Sequence, residues 1–204
     1  MNIKWIFFDV GSTLVDETEA YNHRAREMIS GTGITFKEFD DIRIALAKLG
    51  LDGNSAAIKY FGLTKTPWHS EDELPYSDIQ STLAALIDKG YKLGIIANQK
   101  LGTKERLDSW GLRQYFDVIA TSAEIGYAKP DKEIFEKAFE LAKCTATESM
   151  MVGDRLDNDI IPAKSLGMKT VWIKNCLAQH QNIELCEGVA DYQIHSLSEI
   201  LQIL

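Results

Sequence analysis

The chain has 204 residues, 45% hydrophobic and 25% charged, with 22 Lys plus Arg against 30 Asp plus Glu for a net charge of −8. That length suits one α/β unit with a modest insertion, and the acidic balance without a basic stripe argues against a nucleic-acid partner. No apolar run reaches the roughly eighteen residues of a membrane span and the N-terminus shows no leader-like pattern, so no membrane partner and a cytoplasmic location are expected.

The apolar stretch Trp5 to Phe8 predicts a buried strand, and Asp9 stands where that strand gives way to a loop within "FFDVGSTLVD". The next sixty residues change texture. Phe39, Ile42, Leu46 and Leu49 recur at helical spacing, and glycines break the region into short helices. Such a block is too long for an ordinary crossover, so residues 15–74 are expected to form an inserted helical cap on a core of residues 1–14 and 75–204. From Pro75 onward helices and strands alternate: a helix from Ile79 stopped at Gly90, the strand "YKLGIIANQ", a helix around Lys104, the strand "FDVIA", a helix from Asp131, the strand "SMMVGD", a helix ending near Gly167, and the strand "KTVWI". Five apolar strands separated by helices predict an α/β fold with a doubly wound parallel sheet. Cys144, Cys176 and Cys186 lack metal or redox spacing and are expected to be plain thiols. His23, His69, His180 and His195 show no paired metal spacing, and of the four tryptophans Trp68 is the one expected near a substrate.

Ligands of such a sheet bind where the strands end, and four strand ends here carry polar or small residues. They are Asp9, the stretch Ala97-Asn98-Gln99, the loop leading to Lys129-Pro130, and Gly153-Asp154. Carboxylates at Asp9, Asp154 and Asp159 offer hard oxygen for a Mg²⁺ ion, and an anionic substrate of this acidic chain needs such a local positive centre. Asp157 reads as a cap for the helix that follows.

Taken in order, "FFDVGSTLVD", "GIIANQ", "GYAKPDKEIF" and "MMVGDRLDNDIIPAKSLGM" resemble the four motifs of the haloacid dehalogenase-like hydrolase superfamily, a group dominated by Mg²⁺-dependent phosphatases. The resemblance implies a Rossmann-like core with a small helical cap, and a small phosphorylated metabolite as substrate. It implies Asp9 as the nucleophile that forms an aspartyl-phosphate and Lys129 as the lysine steadying it. Ser12 and Thr13 fall in the phosphate-receiving loop, with Asn98 beside the phosphate-contacting position. Metal ligation falls to Asp9, Asp154, the backbone carbonyl of Gly11, and Asp159, which alternatively holds Lys129.

Two positions depart from the pattern. Gly11 stands where the family's phosphatases carry an acid/base Asp, and Ala97 where they carry a phosphate-binding hydroxyl. An acid/base group contributes about 10²–10⁴-fold in rate, so weak turnover is expected. An Asp restored at position 11 should then raise it, unless the glycine holds a backbone conformation closed to other residues. A non-catalytic phosphate-binding or regulatory protein is the alternative, and a 2-haloacid dehalogenase, whose leaving halide needs no proton, a further one.

Overall fold

The computed structural model describes residues 2–181 and 188–204, and Cys186 lies outside them. Six parallel strands form the central sheet: β1 (Trp5–Phe8), β4 (Lys92–Ala97), β5 (Val118–Thr121), β6 (Ser149–Gly153), β7 (Lys169–Ile173) and β8 (Tyr192–Ile194), in the order β5-β4-β1-β6-β7-β8. The five expected strands are all present. Tyr192–Ile194 adds a sixth at the edge, where three residues, of which Ile194 alone is buried, carry too little apolar signal to read in advance. The α/β doubly wound class follows from this topology.

Burial on both faces explains why the strands read as continuous apolar runs. Ile6 and Phe8 of β1 pack into one cluster with α4 (Ile79–Asp88), while Trp5 and Phe7 pack on the opposite face with α7 (Lys132–Ala142). Gly94 makes room for the second face: a Cβ there would lie 2.6 Å from the Phe7 ring. Removing that ring by Phe7→Ala would cost about 3–5 kcal/mol.

Between β1 and α4 the chain forms α1 (Thr18–Ile29), α2 (Phe36–Lys48) and α3 (Gly53–Tyr60). These helices share a separate apolar cluster that includes Met28, Phe39 and Ile58. Thr35 opens α2 with a reciprocal capping box, accepting from the Glu38 amide at 3.2 Å while Glu38 accepts from the Thr35 amide at 2.8 Å. Leu49, expected on the apolar face, lies just beyond the helix and is 68% exposed. The path into and out of the block is pinned by a two-stranded antiparallel ribbon, β2 (Val15–Asp16) with β3 (Leu74–Pro75). Among the described residues no helix is long and apolar enough to cross a membrane.

Strand order reverses between β1 and β6 while every strand runs parallel: the chain steps outward from β1 through β4 to β5 on one side, then returns to β6 on the other and continues through β7. Crevices at such points lie beyond the carboxyl ends of the strands. Asp9 follows β1, and Asp154 follows β6.

Candidate active site

Asp9, Lys129, Asp154 and Asp159 line one cleft of about 130 Å³ at this edge. Lys129 is the hub. Its Nζ donates to Asp9 Oδ1 at 2.7 Å and to Asp159 Oδ1 at 2.5 Å, and its side chain is 2% exposed. Burial pulls the lysine down, but the charges and hydrogen bonds of Asp159 and Asp9 outweigh it and hold its pKa above the ordinary lysine value. The ammonium is therefore a fixed positive centre in an acidic chain.

The acids around it are differently placed. Asp159 sits on a π-helical turn, Leu156–Ile160, and its Oδ2 accepts from the Arg155 amide at 3.0 Å. Burial raises the Asp159 carboxyl, with Lys129 opposing. Both of its oxygens are thus engaged, which places it behind Lys129 as the group that holds the lysine. Gly153 allows this approach, because a Cβ at that position would lie 2.5 Å from Asp159 side-chain atoms. Among the described residues Asp154 has no such donor, and burial, then Asp159 and Asp9, push its carboxyl well above the usual range. Carboxylate oxygens of Asp9, Asp154 and Asp159 lie within 4.8 Å of one another.

Asn98, expected beside a phosphate, spends its amide on the main chain of Lys129. It donates to the Lys129 carbonyl at 2.8 Å and accepts from the Lys129 amide at 2.7 Å, so it sets the position of the lysine loop. Thr13 is fully buried and does not line the cleft. Ser12 does line it, in the left-handed region with φ of 54°, and its hydroxyl donates to Glu17 Oε2 at 3.1 Å. Asp157 caps no helix. It clamps Arg155 at 2.6 Å, and Arg155 reaches Asp52 at the start of α3 at 3.1 Å, tying the β6 loop to the helical block. Cys144 and Cys176 are free thiols, as expected.

Glu17 is the residue that the sequence did not announce. It lines the cleft, is 9% exposed, and burial, with Asp9 and Glu73 adding, pushes its carboxyl up to about 8. Gly11 does not adopt a positive φ, so its backbone does not exclude other residues. The obstacle to a side chain at position 11 is Glu17 itself: a Cβ there would lie 2.5 Å from Glu17 Oε1.

The histidines expected to be isolated include one pair brought together by the fold. His23 and His69 stack with centroids 3.7 Å apart and ring planes 9° apart, and His69 Nε2 lies 3.0 Å from Glu27 Oε1. Their other ring nitrogens face Asp72 at 2.8 Å and Glu71 at 3.1 Å. Ligand atoms of His23, Glu27 and His69 lie within 4.8 Å of one another, but stacked rings keep the two imidazole lone pairs in separate parallel planes, a poor match to tetrahedral ligation of one ion.

The family model for haloacid dehalogenase-like hydrolases matches residues 6–173, which span both strand-end carboxylates and Lys129. The chain belongs to this family. This hydrolase is 33% identical to a glyceraldehyde 3-phosphate phosphatase of Methanocaldococcus jannaschii, over 99% of this chain and 97% of that protein. It is 29% identical to a pyrimidine 5'-nucleotidase of Escherichia coli, over 100% of this chain and 99% of that protein. The crystal structure of a haloacid dehalogenase-like (HAD) phosphatase from Thermococcus onnurineus superposes with a TM-score of 0.66 at 28% identity, covering 98% of this chain and 97% of that one.

Proposed function

We propose that the protein is a phosphohydrolase of small phosphorylated metabolites that works through an aspartyl-phosphate on Asp9. The observation that carries this reading is Lys129, buried and bridging Asp9 and Asp159 beside Asp154 at the reversal point of the sheet. Phosphoryl transfer asks for an in-line nucleophile and for positive charge on the equatorial oxygens. Asp9 Oδ2 is the oxygen left for attack once Oδ1 accepts from Lys129. Lys129 Nζ, held by Asp159, neutralises charge on the phosphoryl oxygens, and the Asn98 clamp keeps the lysine main chain in place. The amides of Thr13, Leu14 and Val15 donate to the Val10 carbonyl, so the phosphate is assigned to the part of the loop nearer Asp9, where Ser12 makes a left-handed turn.

The donor set fits Mg²⁺. Asp9 and Asp154 present hard carboxylate oxygens, and Gly11 keeps the backbone carbonyl that a third ligand requires. Mg²⁺ bound there would supply the charge neutralisation that a single lysine cannot give to several converging acids and a phosphate. We assign Asp159 to holding Lys129. Residues 15–74 serve as the cap, with Tyr21, Arg24 and Trp68 facing the cavity beside the cleft.

The test is a panel of phosphorylated metabolites assayed with and without Mg²⁺, on the wild type and on Asp9→Asn. Metal-dependent release of phosphate that disappears in Asp9→Asn is the expected result. Release that persists in Asp9→Asn, or no release from any member, contradicts the reading and returns the protein to the phosphate-binding class.

A further inference from the structure

The family pattern places a proton-handling carboxyl two residues after the nucleophile, and this chain has Gly11 there. The volume beside Gly11 is nevertheless filled. A Cβ built on Gly11 would meet Glu17 Oε1, Cδ and Oε2 at 2.5–2.6 Å, so the Glu17 carboxyl occupies the space into which a residue-11 side chain would project. A tight turn brings it there. The amides of Leu14 and Val15 both donate to the Val10 carbonyl, at 2.9 and 3.1 Å, and Gly11 pairs with Val15 in an isolated bridge that folds the chain back on itself. Ser12 then holds Glu17 Oε2, leaving Oε1 as the atom nearest position 11.

Location narrows what this carboxyl can do. Glu17 lines the cleft that contains Asp9 and Lys129, and it also lines the adjoining cavity of about 240 Å³ walled by Arg24, Trp68, Lys100 and Arg106. It therefore stands at the junction of the two. For an ester with its phosphorus at Asp9, the adjoining cavity is the room for the group displaced from it, and Glu17 borders both spaces. Of the neighbouring carboxyls, Asp159 is engaged by Lys129, Glu73 by Arg106 at 3.2 Å and the Trp68 indole at 2.6 Å, and Asp154 belongs with Asp9 to the proposed Mg²⁺ ligands.

We propose that Glu17 is the acid/base catalytic residue of this site, supplying from a later point in the chain the carboxyl that position 11 lacks. The proposal rests on the phosphohydrolase reading of the same cleft. In the first step Asp9 Oδ2 bonds to phosphorus as the bond from phosphorus to the leaving oxygen breaks, and the Glu17 proton passes to that oxygen to give the free alcohol. In the second step water attacks phosphorus, its proton passes to the Glu17 carboxylate, and the bond from phosphorus to Asp9 breaks to release inorganic phosphate. The site is then back in its starting protonation state. Gly11 becomes a requirement of the design, since a side chain there would displace Glu17.

Single-turnover release of the leaving group separates the first step from hydrolysis of the intermediate. The substrates are glycerol phosphate, whose alkoxide needs a proton, and p-nitrophenyl phosphate, whose phenolate does not. Glu17→Gln keeps the size of the side chain and should lower release from glycerol phosphate by about 10²–10⁴-fold, with a much smaller loss on the aryl ester. In Glu17→Ala, adding Gly11→Asp places a carboxyl in the vacated space and should recover at least about tenfold of the lost alkyl release. Equal losses on both substrates in Glu17→Gln and Glu17→Ala, or no loss, overturn the proposal, as does a double variant no better than Glu17→Ala. Should Glu17→Gln fail to fold by its melting curve, the Glu17→Ala pair decides alone. Asp9→Asn keeps the two readings apart. Release that survives it sinks the phosphohydrolase reading, whereas release that vanishes there while Glu17 variants keep the wild-type alkyl-to-aryl ratio sinks only the role of Glu17.

Discussion

Two clusters of acids and bases in this molecule use similar residues to different ends. At the sheet edge, Lys129 and its acids are buried, with Lys129 and Asp159 side chains 2% and 1% exposed. On the helical block, His23, His69, Glu27, Glu71 and Asp72 interleave, but the His23 and Glu71 side chains are 46% and 69% exposed. Water screens the second cluster, so each pair is worth little. In the first, acids outnumber bases with little screening, burial drives the Asp154, Asp159 and Glu17 carboxyls toward their neutral forms, and a metal or a phosphate can change the balance. Burial, more than residue type, separates a reactive cluster from a solvated one.

The largest effect expected from breaking that contrast comes from Lys129→Ala. It strands Asp9 and Asp159 without their cation and should cost about 3–5 kcal/mol in denaturant unfolding, besides abolishing turnover. The corresponding break on the block, His69→Ala, should cost far less. Similar losses for the two would mean that the sheet-edge cluster is not electrostatically special.

Metal addition sharpens the comparison next. Mg²⁺ at about 100 times its dissociation constant should stabilise the folded protein by about 2.7 kcal/mol. Differential scanning calorimetry should show that gain in the wild type and lose it in Asp154→Asn, while His23→Ala leaves it intact. A gain retained in Asp154→Asn would move the metal away from the sheet edge.

The smallest effect is pH-dependent and belongs to the block. Glu27, then Glu71, raise the His69 pKa above its ordinary value. A raised folded value means that this contribution to stability is complete below the unfolded histidine pKa of about 6.5 and fades as pH climbs through the folded value. Glu27→Gln should therefore lower the melting temperature more at about pH 6 than at about pH 9. A deficit that does not change between the two would remove His69 from the account.

The sequence made the strands legible because each main strand is buried on both faces and so reads as an apolar run. Tyr192–Ile194, Val15–Asp16 and Leu74–Pro75 were not, since two or three residues give no period to count. At the cleft, the grouping of Asp9, Lys129, Asp154 and Asp159 was legible because places at strand ends and within motifs are local properties of the chain. Asn98 was expected beside a phosphate; its link to Lys129 spans 31 positions, which spacing does not encode. Glu17 was passed over because its position depends on how the turn after Asp9 folds back. The one hint, an acid shortly downstream of a glycine standing where an acid is usual, gains meaning only once Gly11 is seen against it.

The central claim is that Asp9 carries the phosphoryl group, and acid quench during turnover followed by peptide mass spectrometry tests it most directly. One phosphoryl adduct is expected on the peptide containing Asp9, formed from a phosphate ester that the protein hydrolyses and absent from Asp9→Asn. Turnover with no adduct on that peptide, or an adduct that persists when Asp9 is replaced, would contradict it.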